Sequence, residues 1–85
     1  MREAGFRGAA RVYYDLMSPA ERAAIDRIIV RLEHDHTADG MSTFDVPDVP
    51  GLLLYDDRTW QVLYSVPDEA SLVIQSIAHA LDLPP

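Results

Sequence analysis

The chain has 85 residues, no cysteine and a formal net charge of −7. Without cysteine there is no disulfide, thiolate metal site or cysteine nucleophile. A chain of this length forms one domain and buries only about 60–65% of its unfolded surface. A hydrophobic fraction of 48% and a charged fraction of 25% are ordinary for a globular domain and exclude disorder of the whole chain.

The stretch MREAGFRGAARVYY has no long apolar run, so neither a signal peptide nor a membrane span is expected, and a cytoplasmic setting fits. No internal repeat appears. The charge is unevenly spread. Residues 1–40 carry six arginines against seven carboxylates, whereas residues 41–85 carry Arg58 alone against seven. Phosphate binding needs clustered cations. The second half is built the other way, which disfavours direct nucleic-acid binding there.

Phe6, Ala10, Tyr13 or Tyr14 and Met17 stand at helical spacing, which predicts a helix over 4–17. Gly5 and Gly8 each weaken it by about 1 kcal/mol relative to Ala. The alternative is a strand at ARVYYDL, where Val12 and Tyr14 share a face. The arginines at 2, 7 and 11 fall roughly on one side of that helix, as a wet face or as a contact for an acidic partner.

SPAERAAIDRIIVRLEHD is the clearest element. Ser18 is a good N-cap, Pro19 suits the first helical position, and Glu21 stands three residues after the cap, which makes a capping box. Ala24, Ile25, Ile28, Ile29 and Leu32 form the apolar stripe. Arg22 with Asp26 and Arg31 with Asp35 stand four apart, as helical ion pairs do. The helix frays over 34–39 and ends by Gly40. MSTFDVPDVPG follows as a loop, in which Pro47 and Pro50 extend the valines before them and Phe44 tucks underneath as an anchor.

The remainder is three strands: GLLLY, WQVLYSV and SLVIQSI, joined by the turns DDRT and PDEA. Short loops make neighbouring strands antiparallel. In the middle strand Trp60, Val62, Tyr64 and Val66 share one face, opposite Gln61, Leu63 and Ser65. In the last strand Leu72 and Ile74 oppose Val73, Gln75 and Ile77. Leu63, Val73 and Ile77 make the second face more apolar than solvent requires, which points to a bound protein partner or a homodimer contact there. Partial cover by the loop at 41–50 is the alternative.

The sequence LLLYDDRTWQVLYSVPDEASLVIQSIAH resembles the RelE/ParE toxin superfamily of bacterial toxin–antitoxin modules. Trp60-Gln61-Val62-Leu63-Tyr64 takes the place of that family's middle strand, Pro67-Asp68-Glu69 that of its acidic turn, and Ile77-Ala78-His79 that of its closing motif. AERAAIDRIIVRLEHD resembles its second helix. The likeness covers roughly 18–80. It implies the family's α+β fold, with an edge strand opening it where the spacing here favours a helix. The resemblance also places a phosphate-holding arginine of the nuclease members where this chain has Gln61. Basic residues and a tyrosine usual near the end are replaced by HALDLPP, which keeps only His79. The family is usually basic; this chain is acidic.

If the chain is an enzyme, His79 and Tyr64 are the acid/base pair and Arg58 the cation for the developing charge. The bland alternatives are a strand-end histidine and a cross-strand packing tyrosine. EHDHTAD has metal-binding residue types, but His34 and His36, two apart, splay on a helix. Asp45, Asp48, Asp56 and Asp57 match no calcium loop. No metal or cofactor is expected.

The expectation is therefore an α+β fold, a helical hairpin on a three-stranded antiparallel sheet, in a single RelE/ParE-like domain over 1–85. Its core is Ile25, Ile28, Ile29, Leu32, Leu53, Trp60 or Leu63, Val62, Tyr64, Leu72 and Ile74. The function expected is non-catalytic protein binding, as the toxin-like component of a toxin–antitoxin module. The partner is an antitoxin-like segment or a host target. The alternatives are a ribosome-dependent mRNA interferase and a small structural or regulatory subunit of a larger complex.

Overall fold

A computed structural model describes residues 3–80. In chain order the elements are β1 (Glu3–Phe6), α1 (Gly8–Leu16), α2 (Pro19–His34), β2 (Thr43–Asp45), β3 (Leu52–Asp56), β4 (Trp60–Asp68) and β5 (Ser71–His79). The strands form a single mixed sheet in the order β1-β5-β4-β3-β2. The architecture is α+β, but the three-stranded antiparallel sheet expected from sequence is only its centre: β2 adds an antiparallel edge and β1 a parallel one.

The spacing that predicts a helix over 4–17 holds only from Gly8 onward. Residues 3–6 are extended and lie along β5, with Ala4 opposite Leu72 and Phe6 opposite Ile74. The Glu3 amide donates to the Ala70 carbonyl at 2.9 Å, and the Arg7 amide to that of Ile74 at 2.9 Å. From the helix side the Glu33 carboxylate accepts the Ala4 amide at 3.1 Å. Sheet pairing satisfies these groups better than a helical turn seeded with two glycines. Arg7, extended at φ −72°, ψ 158°, is the N-cap of α1 and does not join a helical arginine stripe. Arg2 lies outside the described residues.

Helix α2 starts as expected. The Glu21 amide donates to Ser18 Oγ at 3.2 Å and the Ser18 amide to Glu21 Oε1 at 3.0 Å, which completes the capping box. Ile25, Ile28, Ile29 and Leu32 are buried at i, i+3, i+4 and i+7. They pack with Ala10 and Met17 of the α1 region onto Tyr55, Trp60, Val62, Tyr64, Leu72, Ile74 and Ile77. Both helices thus cover one face of the sheet. Asp26 accepts from the Tyr14 hydroxyl at 2.6 Å, tying α1 to α2. Arg31 reaches forward to Asp39 at 3.7 Å and Ser42 at 2.8 Å.

The segment after α2 is ordered by one carboxylate. Asp39 Oδ1 accepts the amides of Met41 at 2.8 Å, Ser42 at 2.9 Å and Thr43 at 3.0 Å. The Asp39 amide donates to Thr43 Oγ1 at 3.0 Å, and that hydroxyl donates to the Thr37 carbonyl at 2.8 Å. Thr43 is thereby buried with its polar group satisfied. This brace converts part of the expected loop into β2, with Phe44 opposite Leu54. Phe44 sits exposed on the sheet, not under the loop.

Strand β5 does not alternate evenly. Ser76 faces Leu63 and Ile74 faces Tyr64, so Gln75 is an extra residue in the ladder. A bulge of this kind resets the alternation. Leu72 and Ile74 point to the helices, and beyond the bulge Ile77 does so too, opposite the buried Val62. The strict two-residue period that places Ile77 with Val73 fails at this point.

Truncating Ile77 to Ala should therefore cost about 2–5 kcal/mol in urea unfolding, the range for a buried isoleucine. Leu63→Ala, on the uncovered face, should cost about 1 kcal/mol or less.

The amides of Thr43, Met41 and Ser42 hold the Asp39 carboxyl well below the usual carboxylate range. A lowered folded-state value stabilises above the unfolded value of about 3.9 and is lost as pH falls from there towards the folded value. Asp39→Asn should lower the urea midpoint at neutral pH and flatten its decline in acid; unchanged acid sensitivity would exclude Asp39 as its source.

Candidate functional site

The three residues that an enzyme reading needs do not converge. Tyr64 is fully buried on the helix-covered face, where its hydroxyl donates to the His36 carbonyl at 2.7 Å. Burial, with the nearby charges of Asp35, Asp39 and Asp45, pushes its phenol up to about 12, so it holds its proton at any physiological pH. His79 stands opposite Trp60, with the rings edge to face at 4.6 Å. Trp60 and Tyr64 are four residues apart on one strand, or roughly 13 Å. Arg58 is exposed in the β3–β4 turn with φ 74°, its amide held by Asp56 at 2.8 Å.

His79 lies beside the start of α2. The Glu21 carboxyl there is lowered first by its hydrogen bonds from Ser18 and, to a smaller extent, by the charge of His79. Gln61 donates its side-chain amide to Asp56 at 3.2 Å, so a carboxylate adjoins the position where the resemblance puts a phosphate-holding arginine. In EHDHTAD, His34 is exposed at the helix end, the His36 carbonyl serves Tyr64, and Asp39 braces the loop. No group of three or more His, Cys, Asp or Glu is placed to hold a metal ion among the described residues.

The sheet face turned away from the helices carries no helix of the described residues. Three cross-strand rows run over it. One is Ala78–Gln61–Asp56, the next Ser76–Leu63–Leu54–Phe44, and the third Gly5–Val73–Ser65–Leu52. The middle row floors a groove of about 400 Å³, walled by Val46 and Pro47. Towards β1 a polar strip follows, where Gln75 donates to Ser65 Oγ at 2.8 Å.

Of the residues expected to bind a partner, Leu63 and Val73 lie on this face and Leu63 lines the groove. Ile77 lies in the core behind it. Phe44 and Leu54 line the groove and were not among those expected. The signal for Leu54 is the unbroken run Leu52-Leu53-Leu54, since a strand apolar on both faces has both faces in use. Phe44 carries no such signal, because its orientation follows from the Asp39 brace.

No protein-family model matches the chain, and no curated protein matches it. Among solved structures, the chain is similar to one in the RelB–RelE antitoxin–toxin complex from Methanococcus jannaschii. The two share 9% identity and a TM-score of 0.64, with 87% of each chain covered. At that identity the likeness is one of fold. No helix among the described residues is long and apolar enough to cross a membrane.

The buried phenol gives a test of Tyr64 that is independent of any activity. Its value is raised on folding, so its stabilisation is complete below the unfolded value of about 10 and is lost as pH climbs towards about 12. Tyr64→Phe should remove that alkaline decline. At neutral pH it should cost about 1–2 kcal/mol by leaving the His36 carbonyl without its donor. Urea titrations across alkaline pH read both effects.

Proposed function

We propose that this chain is a non-catalytic RelE/ParE-like domain that works by binding protein, as the toxin-like component of a toxin–antitoxin module. The observation that carries this reading is the uncovered sheet face. Phe44, Leu54 and Leu63 stand in one row there and line a groove, while the phenol that an enzyme would use is turned into the core. The fold likeness to a chain of an antitoxin–toxin complex supports a protein partner of the antitoxin kind. The acidic composition and the Gln61–Asp56 pairing support a surface that does not hold an RNA phosphate.

Induced expression in a bacterial host tests the proposal. Growth arrest with intact mRNA, relieved by Leu63→Asp, is the expected result. Codon-specific mRNA cleavage that disappears in His79→Ala would overturn it in favour of an interferase. A stoichiometric complex without any toxicity would favour a structural or regulatory subunit.

A further inference from the structure

We infer that the open sheet face receives a segment of a partner protein whose apolar side chains are flanked by lysine or arginine. This rests on the protein-binding reading above and adds the chemistry of the occupant. The groove floor is the row Phe44–Leu54–Leu63, walled by Val46 and Pro47 and enclosing about 400 Å³. That volume falls within the range of ligand sites. Covering such a floor removes apolar surface from water, a gain that is indifferent to the partner's charge.

The charge preference comes from the surroundings. Asp56 stands on the open face one cross-strand row from the groove, beside Gln61, and Asp45 borders the groove from the row Asp45–Leu53–Tyr64, which faces the helices. Between residues 41 and 80 the only lysine or arginine is Arg58, which lies in the turn beyond Asp56. The other residues of the three rows are uncharged. An apolar floor with an acidic margin attracts a cationic segment and repels an anionic one, which sets association rate and partner choice.

The same charge disfavours two other occupants. A second copy would press one acidic half against another, each with seven carboxylates against one arginine over residues 41–85. An RNA strand would bring phosphates to three rows that carry no lysine or arginine among the described residues.

The test is a titration of the isotopically labelled full chain with two synthetic helical peptides that share one leucine face. One peptide is flanked by arginines and the other by glutamates. Calorimetry reads affinity, and amide chemical shifts read location. The arginine peptide should bind at least about tenfold more tightly, with shifts centred on Phe44, Leu54 and Leu63. Its advantage should shrink as ionic strength rises from about 0.01 M to about 1 M, where the screening length falls from about 30 Å to about 3 Å. Asp45→Asn combined with Asp56→Asn should reduce the advantage, and Leu63→Ser should abolish binding of both peptides; circular dichroism checks that each variant keeps its fold.

Equal affinity for the two peptides, preference for the glutamate peptide, or shifts confined to the helices would overturn the inference. So would a concentration-dependent dimer through this face. Occupation of the groove by the glutamate peptide with an affinity equal to or above that of the arginine peptide would remove the charge argument and leave protein binding standing. Absence of binding by either peptide, together with mRNA cleavage on induction, would remove both.

Discussion

One extra residue in β5 decides which side chains this fold hides and which it offers. Without Gln75 as a bulge, the alternation that buries Leu72 and Ile74 would turn Ile77 and His79 outward. With it, Ile77 packs opposite Val62, and His79 meets Trp60 at the end of the same face. The strand thus contributes to the core along its whole length. The opposite face is left with Val73, the Gln75–Ser65 hydrogen bond and Ser76 beside Leu63. The helices α1 and α2 can then cover a continuous apolar surface, and the uncovered surface acquires its division into an apolar groove and a polar strip.

The central elements were legible because local and global preferences agree there. The capping box at Ser18 and the isoleucine stripe of α2 fix a helix start and its buried side in sequence alone, and the structure has both. Trp60, Val62 and Tyr64 alternate cleanly and are buried together. What was not legible depends on partners distant in sequence. Residues 3–6 become a strand because β5 lies alongside and Glu33 accepts an amide there; their own spacing favours a helix. Thr43 to Asp45 become a strand because Asp39 gathers three amides ahead of them. The bulge has no glycine or turn residue to mark it in SLVIQSI; plain alternation would turn Leu72, Ile74 and Ser76 inward, and the pairing with β4 puts Ile77 there instead of Ser76.

The same distinction applies to the functional reading. Residue types suggested Tyr64, His79 and Arg58 as a set, but type says nothing of the direction in which a side chain points. The Tyr64 hydroxyl is consumed in closing the end of α2 onto the sheet through the His36 carbonyl. It is a structural polar group in the sense that buried hydroxyls generally are. The excess of apolar residues on the second face follows from strand alternation, which puts Leu63 beside the groove but misplaces Ile77, since the bulge turns it into the core. The three leucines in succession carry the corresponding signal for Leu54.

The parallel edge has a consequence for how the chain reaches this state. Strand β1 pairs with β5, so Glu3 must find Ser71, while β3, β4 and β5 meet through short turns. Closing a long loop is entropically slower than zipping adjacent hairpins. Docking of β1 sets Phe6 against Tyr14 and covers the outer margin of β5. With β1 displaced, the amides and carbonyls of that margin would be open to pairing with another chain.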